Sequence, residues 1–461
     1  MKKFMKKAWP FAVVTSLALT SVVTWGVTRS DVIKADGKAS DPKIKNVIVL
    51  IGDGMGPSYM TAHRYMKDNP KTFEMESTEF DNHLVGTQKT YPEDEHQNIT
   101  DSASAATAMS AGVKTYNAAI AVDNDQAEVK TVLEQAKEQG KSTGLVATSE
   151  ITHATPAAFG AHDISRKNMD AIANDYFDEK INGKHKVDVL LGGGVNNFVR
   201  KDRNLTEEFK KSGYSYVTDR EQLLNDKSDQ ILGLFAPGGL DKMIDRNEKT
   251  PSLEEMTNAA INRLNKNDKG FFLMVEGSQI DWAGHDNDVV GAMSEIEDFE
   301  KAFKAAIEFA KKDKHTLVIA TADHSTGGFS LGVNGEYNFN ANAIKAAQRT
   351  PDFMANEIAK GANVEETLKK YIDLQLTTEE IKSVNDIAPS KDVTKIDNAI
   401  EEIFNKRSFT GWTTGGHTGE DVNVYAFGPG KYLFSGVQEN TNLAKRVFDI
   451  VGGGDPNKGR R

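Results

Sequence analysis

Four short segments concentrate metal-binding side chains: Asp53 in GDGMG, Asp281 and His285 in IDWAGH, Asp323-His324 in TADH, and His417 in GGHTG. Imidazole with carboxylate suits a borderline divalent cation, whereas oxygen donors alone suit a hard one. The segments stand far apart in the chain, so only a fold can assemble them. Between the first and second lies TDSASAATAM, which places Ser102 at an expected helix start. A helix N-terminus offers free N–H groups to an anion, and a neighbouring cation stabilises an alkoxide. The combination reads as a metal-activated serine nucleophile.

Taken singly these signals are modest. Asp281 and His285 are four apart and share a face if helical, which fits one ion but also a solvated helix face. Asp323 and His324 are consecutive, so their side chains diverge, yet they follow an apolar run where an unpaired charge is costly. Asp53 after VIVLIG and Glu276 after FFLMV pose the same problem. Carboxylates converging without cations repel and raise one another's pKa values, and bound metals remove that conflict. The donor types favour zinc on Asp281, His285 and His417, and a second ion on Asp53, Asp323 and His324. A third set, Asp53, Thr155 and Glu276, is all oxygen and suits magnesium. Paired ions can clamp the attacking and leaving oxygens of an in-line displacement. Arg166, at the end of AAFGAHDISR, has a planar fork able to bind two phosphate oxygens, though many such arginines are surface charges. His63 and His162 read as structural or surface residues. GDGMG lacks G-x-G-x-x-G spacing, so a nicotinamide enzyme is rejected.

Elements must carry these residues to one place. Strand-like apolar runs fall at 46–51, 142–148, 187–191, 270–276 and 316–322, and helical periodicity is clearest over 289–312. Strands alternating with helices imply an α/β sandwich with a mostly parallel central sheet and helices on both faces. Asp53, Glu276 and Asp323 then stand at or near strand ends, where ligands bind in such sheets. The polar stretch 335–407, with a capping box at Thr377-x-x-Glu380 and helical spacing from Val364 to Leu374, is expected to form a small inserted lobe near the mouth. Residues 452–461 are expected to be a flexible tail.

At 461 residues with 38% hydrophobic content the chain can bury a full core, and a net charge of −11 with no aromatic-interleaved basic run argues against nucleic-acid binding. Lys2, Lys3, Lys6 and Lys7 precede an apolar stretch near 9–27, so residues 1–39 read as an export signal or retained anchor and the protein as extracytoplasmic. Zero cysteines exclude disulfides, which leaves core burial and bound metal as the sources of stability.

The stretches NVIVLIGDGMG, NITDSASAATAMSAGVKTYN, ATPAAFGAHDISR, FFLMVEGSQIDWAGH, VIATADHSTGGF and GGHTGEDV, from about Asn46 to near Phe448, strongly resemble the alkaline phosphatase family, specifically its exported bacterial branch. The resemblance implies hydrolysis of phosphate monoesters through a phosphoserine on Ser102, with Arg166 as phosphate clamp. It also implies two zinc ions and one magnesium ion on the three sets above, and it makes a homodimer an expectation. Asp101, His153 and Trp282 are placed around those sets. The best-known enterobacterial form has an aspartate at the position of His153 and a lysine at that of Trp282. The pair reads as a coupled change that weakens magnesium binding, speeds phosphate release and leaves the third ion's identity open. Phosphodiesterase or sulfatase activity on the same scaffold, or a non-catalytic phosphate- or metal-binding surface protein, are the alternatives.

Overall fold

The run NVIVLIG forms strand β1 (Asn46–Gly52), buried at every residue. Its alternate side chains go to opposite faces: Ile48 and Leu50 join one hydrophobic core, while Val47, Val49 and Ile51 join another. A continuous apolar run is what a strand covered on both faces requires. This computed structural model describes residues 43–460. The expected export segment lies outside the described residues, and among them no helix is long and apolar enough to cross a membrane.

A ten-stranded sheet is built from β1, β2 (Leu84–Lys89), β3 (Ser142–Glu150), β4 (Val189–Gly193), β5 (Ser215–Val217), β6 (Ile231–Leu234), β7 (Phe271–Gly277), β8 (Thr316–Ala322), β9 (Val422–Phe427) and β10 (Gly436–Glu439). The spatial order is β10-β2-β9-β8-β1-β7-β3-β4-β6-β5. Only β9 runs against its neighbours β8 and β2; the remaining pairs are parallel. The mostly parallel sheet with helices on both faces is thus the architecture that the pattern implied. The predicted strands are present, that at 316–322 with both ends as expected and the others with an end moved by at most two residues.

Five helices position the site or its support: α1 (Ser102–Ala111), α2 (Ala154–Gly160), α3 (Gln279–Asp286), α4 (Val289–Asp313) and α5 (Val393–Ser408). Helix α4 puts Ile296, Phe299, Phe303 and Ile307 into one core, while α1 and α2 pack into the other.

The 335–407 insertion is helical, at 341–345, 351–359, 364–371, 378–387 and into α5. Its capping box is present, Thr377 Oγ1 accepting from Glu380 N and Glu380 accepting from Thr377 N. Met354, Leu368, Ile400 and Phe404 join the same core as α4, so the insertion is continuous with that helical layer. The C-terminal segment, expected to be flexible, is tied down instead: buried Asn457 donates to the carbonyls of Ala111 and Lys130 at 2.8 Å.

Candidate active site

The strands end where the chemistry gathers. Asp53 follows β1, Glu276 is the penultimate residue of β7, and Asp323-His324 follow β8 directly. Register makes this convergence inevitable, since Ile51 lies opposite both Glu276 and Thr321. Helix α3 leaves the end of β7 with Asp281 and His285 one turn apart, and a short ladder sets His417 opposite Thr326. Gly54 completes the turn after Asp53 at φ +69°; a Cβ there would lie 2.9 Å from the Asp281 backbone, so only glycine permits this approach.

Asp281, His285 and His417 meet at one point. His285 Nε2 is 3.2 Å from Asp281 Oδ2 and 3.2 Å from His417 Nε2, and His417 Nε2 is 3.5 Å from Asp281 Oδ1. Each ring uses its other nitrogen on a backbone carbonyl: His285 Nδ1 donates to Gly415 O at 2.6 Å, and His417 Nδ1 to Thr100 O at 2.8 Å. These bonds turn both Nε2 atoms toward the shared point, the arrangement of metal-ligating histidines, although the hydrogen bond to Asp281 raises His285 to about 9, so a cation there would displace its Nε2 proton. Asp53, Asp323 and His324 form a second group, with His324 Nε2 3.3 Å from an oxygen of each carboxylate. The rings of His324 and His417 stack at 3.6 Å, which brings the two groups side by side.

The third set is deeper. Asp53 and Glu276 are fully buried, and so is the Thr155 hydroxyl on α2. His153 directs a ring nitrogen to within 4.8 Å of carboxylate oxygens of Asp53 and Glu276. His153 thus lines the third set while its Nε2 lies beside Arg166. Trp282 packs edge-on against the His153 ring at 5.7 Å.

Electrostatics and unmet hydrogen bonds test whether cations belong here. Asp53 Oδ2, Thr155 Oγ1, Glu276 Oε1, Asp323 Oδ2 and His153 Nδ1 are buried without a hydrogen-bond partner. Burial, followed by Asp323, Asp281 and Glu276, raises Asp53 well above the usual carboxylate range. Burial also pushes Glu276 up to about 7 and Asp323 up to about 6. Burial lowers His324 and His417 to about 4, so both present neutral rings. Unpartnered carboxylates beside neutral imidazoles form a donor set that divalent cations complete.

Ser102 begins α1 with its Oγ buried, 3.2 Å from His324 Nε2 and 3.5 Å from Asp53 Oδ1. Asp101 is the N-cap: Oδ1 accepts from Ser104 N at 3.0 Å, while Oδ2 accepts from Ala118 N and from Arg166 Nη1, each at 3.0 Å. Arg166 is held on its other arm by His153 Nε2 at 3.1 Å. The guanidinium is therefore fixed beside the Ser102 end of α1, yet remains partly exposed. His63 and His162 stay outside the site, paired with Glu300 at 3.1 Å and Glu134 at 2.9 Å.

A family model described as alkaline phosphatase matches residues 44–452. Alkaline phosphatase 3 of Bacillus subtilis (strain 168) is 67% identical over 98% of this chain and 98% of its own. Among solved structures, a cold-active alkaline phosphatase from a psychrophilic Shewanella aligns with TM-score 0.84 and 39% identity, over 88% of this chain and 100% of that one. A histidine-to-aspartate variant of TAB5 alkaline phosphatase, with magnesium in its M3 site, aligns with TM-score 0.64 and 31% identity over 89% of this chain and 98% of that one.

Proposed function

The chain belongs to the alkaline phosphatase family and is a phosphate-monoester hydrolase; from that premise we propose that Ser102 is its nucleophile and Arg166 its phosphate clamp. The observation that carries this reading is the Ser102 hydroxyl at a helix N-terminus, within reach of His324 and Asp53, with Arg166 fixed next to it by Asp101. The phosphoryl group enters with two oxygens toward the Arg166 fork and a third toward the free N–H groups that open α1. Ser102 Oγ attacks phosphorus in line with the departing alcohol, and water then displaces the serine from the opposite side. Two in-line displacements retain configuration at phosphorus.

The family is metal-dependent, and the donor chemistry supports two zinc ions and one magnesium ion per chain. Asp281, His285 and His417 would hold the first, Asp53, Asp323 and His324 the second, and Asp53, Thr155 and Glu276 the third, with His153 beside it. When bound, the ions supply Lewis-acid stabilisation of the alkoxide, the attacking water and the phosphate charge. Around them Asp101 orients Arg166, and the carbonyls of Gly415 and Thr100 keep His285 and His417 in the tautomer that presents Nε2. We further read residues 40–451 as the phosphatase domain and the lysine-led N-terminus as an export signal or anchor of an extracytoplasmic protein. The family resemblance also supports a homodimer.

Hydrolysis of an aryl phosphate monoester, compared with its diester at alkaline pH before and after chelation, tests the assignment. Fast, chelator-sensitive monoester turnover is expected. Preference for the diester would reassign the substrate to the phosphodiesterase alternative, and full turnover by Ser102→Ala would exclude Ser102 as nucleophile.

A further inference from the structure

Asn117 ends the segment NITDSASAATAMSAGVKTYN, yet it belongs neither to the three metal sets nor to the Ser102 and Arg166 pair. Its half-buried carboxamide meets four polar partners. Oδ1 accepts from Asp101 N at 2.9 Å and lies 2.8 Å from Ser104 Oγ. Nδ2 donates to Ile99 O at 3.0 Å and to Gln97 Oε1 at 2.6 Å. The Asn117 main-chain N–H is held too, donating to Asp94 Oδ2 at 3.0 Å. A primary amide has two donor hydrogens and one acceptor oxygen, so this set of partners fixes the side chain in a single orientation.

These partners bracket the reacting end of α1. Ile99 and Asp101 flank Thr100, whose carbonyl accepts from His417 Nδ1 at 2.8 Å, and Asp101 immediately precedes Ser102. The next residue completes the grip. Ala118 N donates to Asp101 Oδ2 at 3.0 Å, the oxygen that also takes Arg166 Nη1, and Ala118 O accepts from Arg166 N at 2.8 Å. Ala118 adopts φ +78°, a region that a residue with a Cβ enters only where its surroundings over-determine it. Residues 95–99, by contrast, are exposed. The chain entering α1 therefore has no core packing on that side, and hydrogen bonds must supply the order that packing supplies elsewhere.

We propose that Asn117 is a positioning residue for phosphoryl transfer, which sets Ser102 and Arg166 in register by holding Asp101 from behind. The proposal rests on the reading of Ser102 as nucleophile and Arg166 as clamp. Asn117 itself touches neither the serine hydroxyl nor the guanidinium. Its oxygen fixes the main chain of Asp101, while the carboxylate of Asp101 caps α1 and holds Arg166, so one amide governs the relation between the two groups that meet the phosphate. Errors of about 1 Å in such a relation cost up to about 100-fold in rate. The Nδ2 bond to Ile99 O acts on the other side of Thr100 and steadies the carbonyl that orients His417.

Asn117→Ala in the zinc- and magnesium-saturated enzyme tests this, with kcat/KM for an aryl phosphate, the inhibition constant of inorganic phosphate and Tm measured together. A fall in kcat/KM of roughly 10- to 100-fold and weaker inhibition by phosphate are expected in protein that is folded at the assay temperature. Kinetics and inhibition within about twofold of wild type, whatever the change in Tm, would reduce Asn117 to a structural turn residue and overturn the proposal. Asn117→Asp keeps an acceptor for Asp101 N but turns an oxygen toward Ile99 O, so it should lower kcat/KM by less; wild-type kinetics in this variant would also overturn the proposal, even if Asn117→Ala fails to fold. In an Arg166→Ser background the clamp is gone, and the loss of phosphate inhibition caused by Asn117→Ala should shrink. An undiminished loss there would show that Asn117 does not act through Arg166. Full turnover by Ser102→Ala would overturn the underlying assignment together with this proposal, whereas inactive Ser102→Ala beside unaffected Asn117→Ala would overturn the proposal alone.

Discussion

Ser102 is chemically ordinary until its neighbours are counted. Its hydroxyl is buried, faces His324 Nε2 at 3.2 Å, and opens a helix whose first N–H groups are free to meet an anion. Ser102→Ala is expected to lower kcat by at least about 1,000-fold, since removing an activated nucleophile leaves only binding and electrostatic terms. Metal content should be unchanged, as measured by elemental analysis of the same protein. His153 carries a different prediction. Burial, aided by Arg166, lowers its ring to about 3, so it is neutral at working pH and leaves the third set without the negative charge an aspartate would add. His153→Asp with Trp282→Lys is expected to tighten magnesium binding and strengthen product inhibition by phosphate. Calorimetric magnesium titration and phosphate inhibition constants measure the two effects, and no change in either would refute the coupling.

At the scale of elements, Asp101 links a helix cap to Arg166, the proposed clamp. It stabilises the start of α1 and holds Arg166 with the same carboxylate. Asp101→Ser retains a capping side chain but frees Arg166, so stability should change by less than about 1 kcal/mol while phosphate is held less tightly. The segment leading to Arg166 has a buried anchor behind it. His162 donates to Ala121 O at 2.9 Å and meets Glu134 at 2.9 Å. Burial opposes ionisation of Glu134, yet the His162 hydrogen bond, the charges of His162 and Lys186 and the Thr131 N–H together outweigh it and bring the carboxyl down to about 2. A depressed carboxyl stabilises the fold above its unfolded value of 4.5, and that contribution is lost as pH falls through about 2. Removing one partner of a buried pair costs roughly 3–5 kcal/mol. His162→Ala should lie toward the lower end because Lys186 also faces Glu134 at 3.5 Å. Denaturant unfolding at neutral pH and near pH 2 checks this, with the difference from wild type shrinking in acid.

For the molecule as a whole, cations bound at the proposed cluster would supply folding energy as well as chemistry. Without disulfides, a fold that gathers Asp53, Glu276, Asp281 and Asp323 in its interior depends on cations to offset their repulsion. A ligand at 1,000 times its Kd stabilises by about 4 kcal/mol, which for a domain of this size corresponds to a Tm change of roughly 10 °C or less per ion. Exhaustive chelation should therefore lower Tm by roughly 10 °C or more in total and remove turnover, and zinc with magnesium should restore both. Calorimetry of chelated and reconstituted protein reads the effect directly.

Much of this was legible in the chain. Apolar runs ending in acids marked the central strands, because an unpaired charge is intolerable at the end of a buried strand unless something binds it. The helical periodicity of 289–312 and the Thr377–Glu380 capping box depend on local spacing alone, so they too could be read directly. Strand β2 could not, since its LVGTQK has mixed exposure and its place is fixed by pairing with β9 and β10. The docking of Asn457 was equally hidden, because its partners Ala111 and Lys130 lie more than 300 residues away. Residue types determined the chemistry on offer: imidazole and carboxylate donors, a serine at a helix start, and an arginine fork. Only the tertiary structure decided that a ring nitrogen of His153 comes within 4.8 Å of carboxylate oxygens of Asp53 and Glu276 and that the cap residue Asp101 also holds Arg166, because such contacts arise from packing between elements whose sequence separation carries no signal.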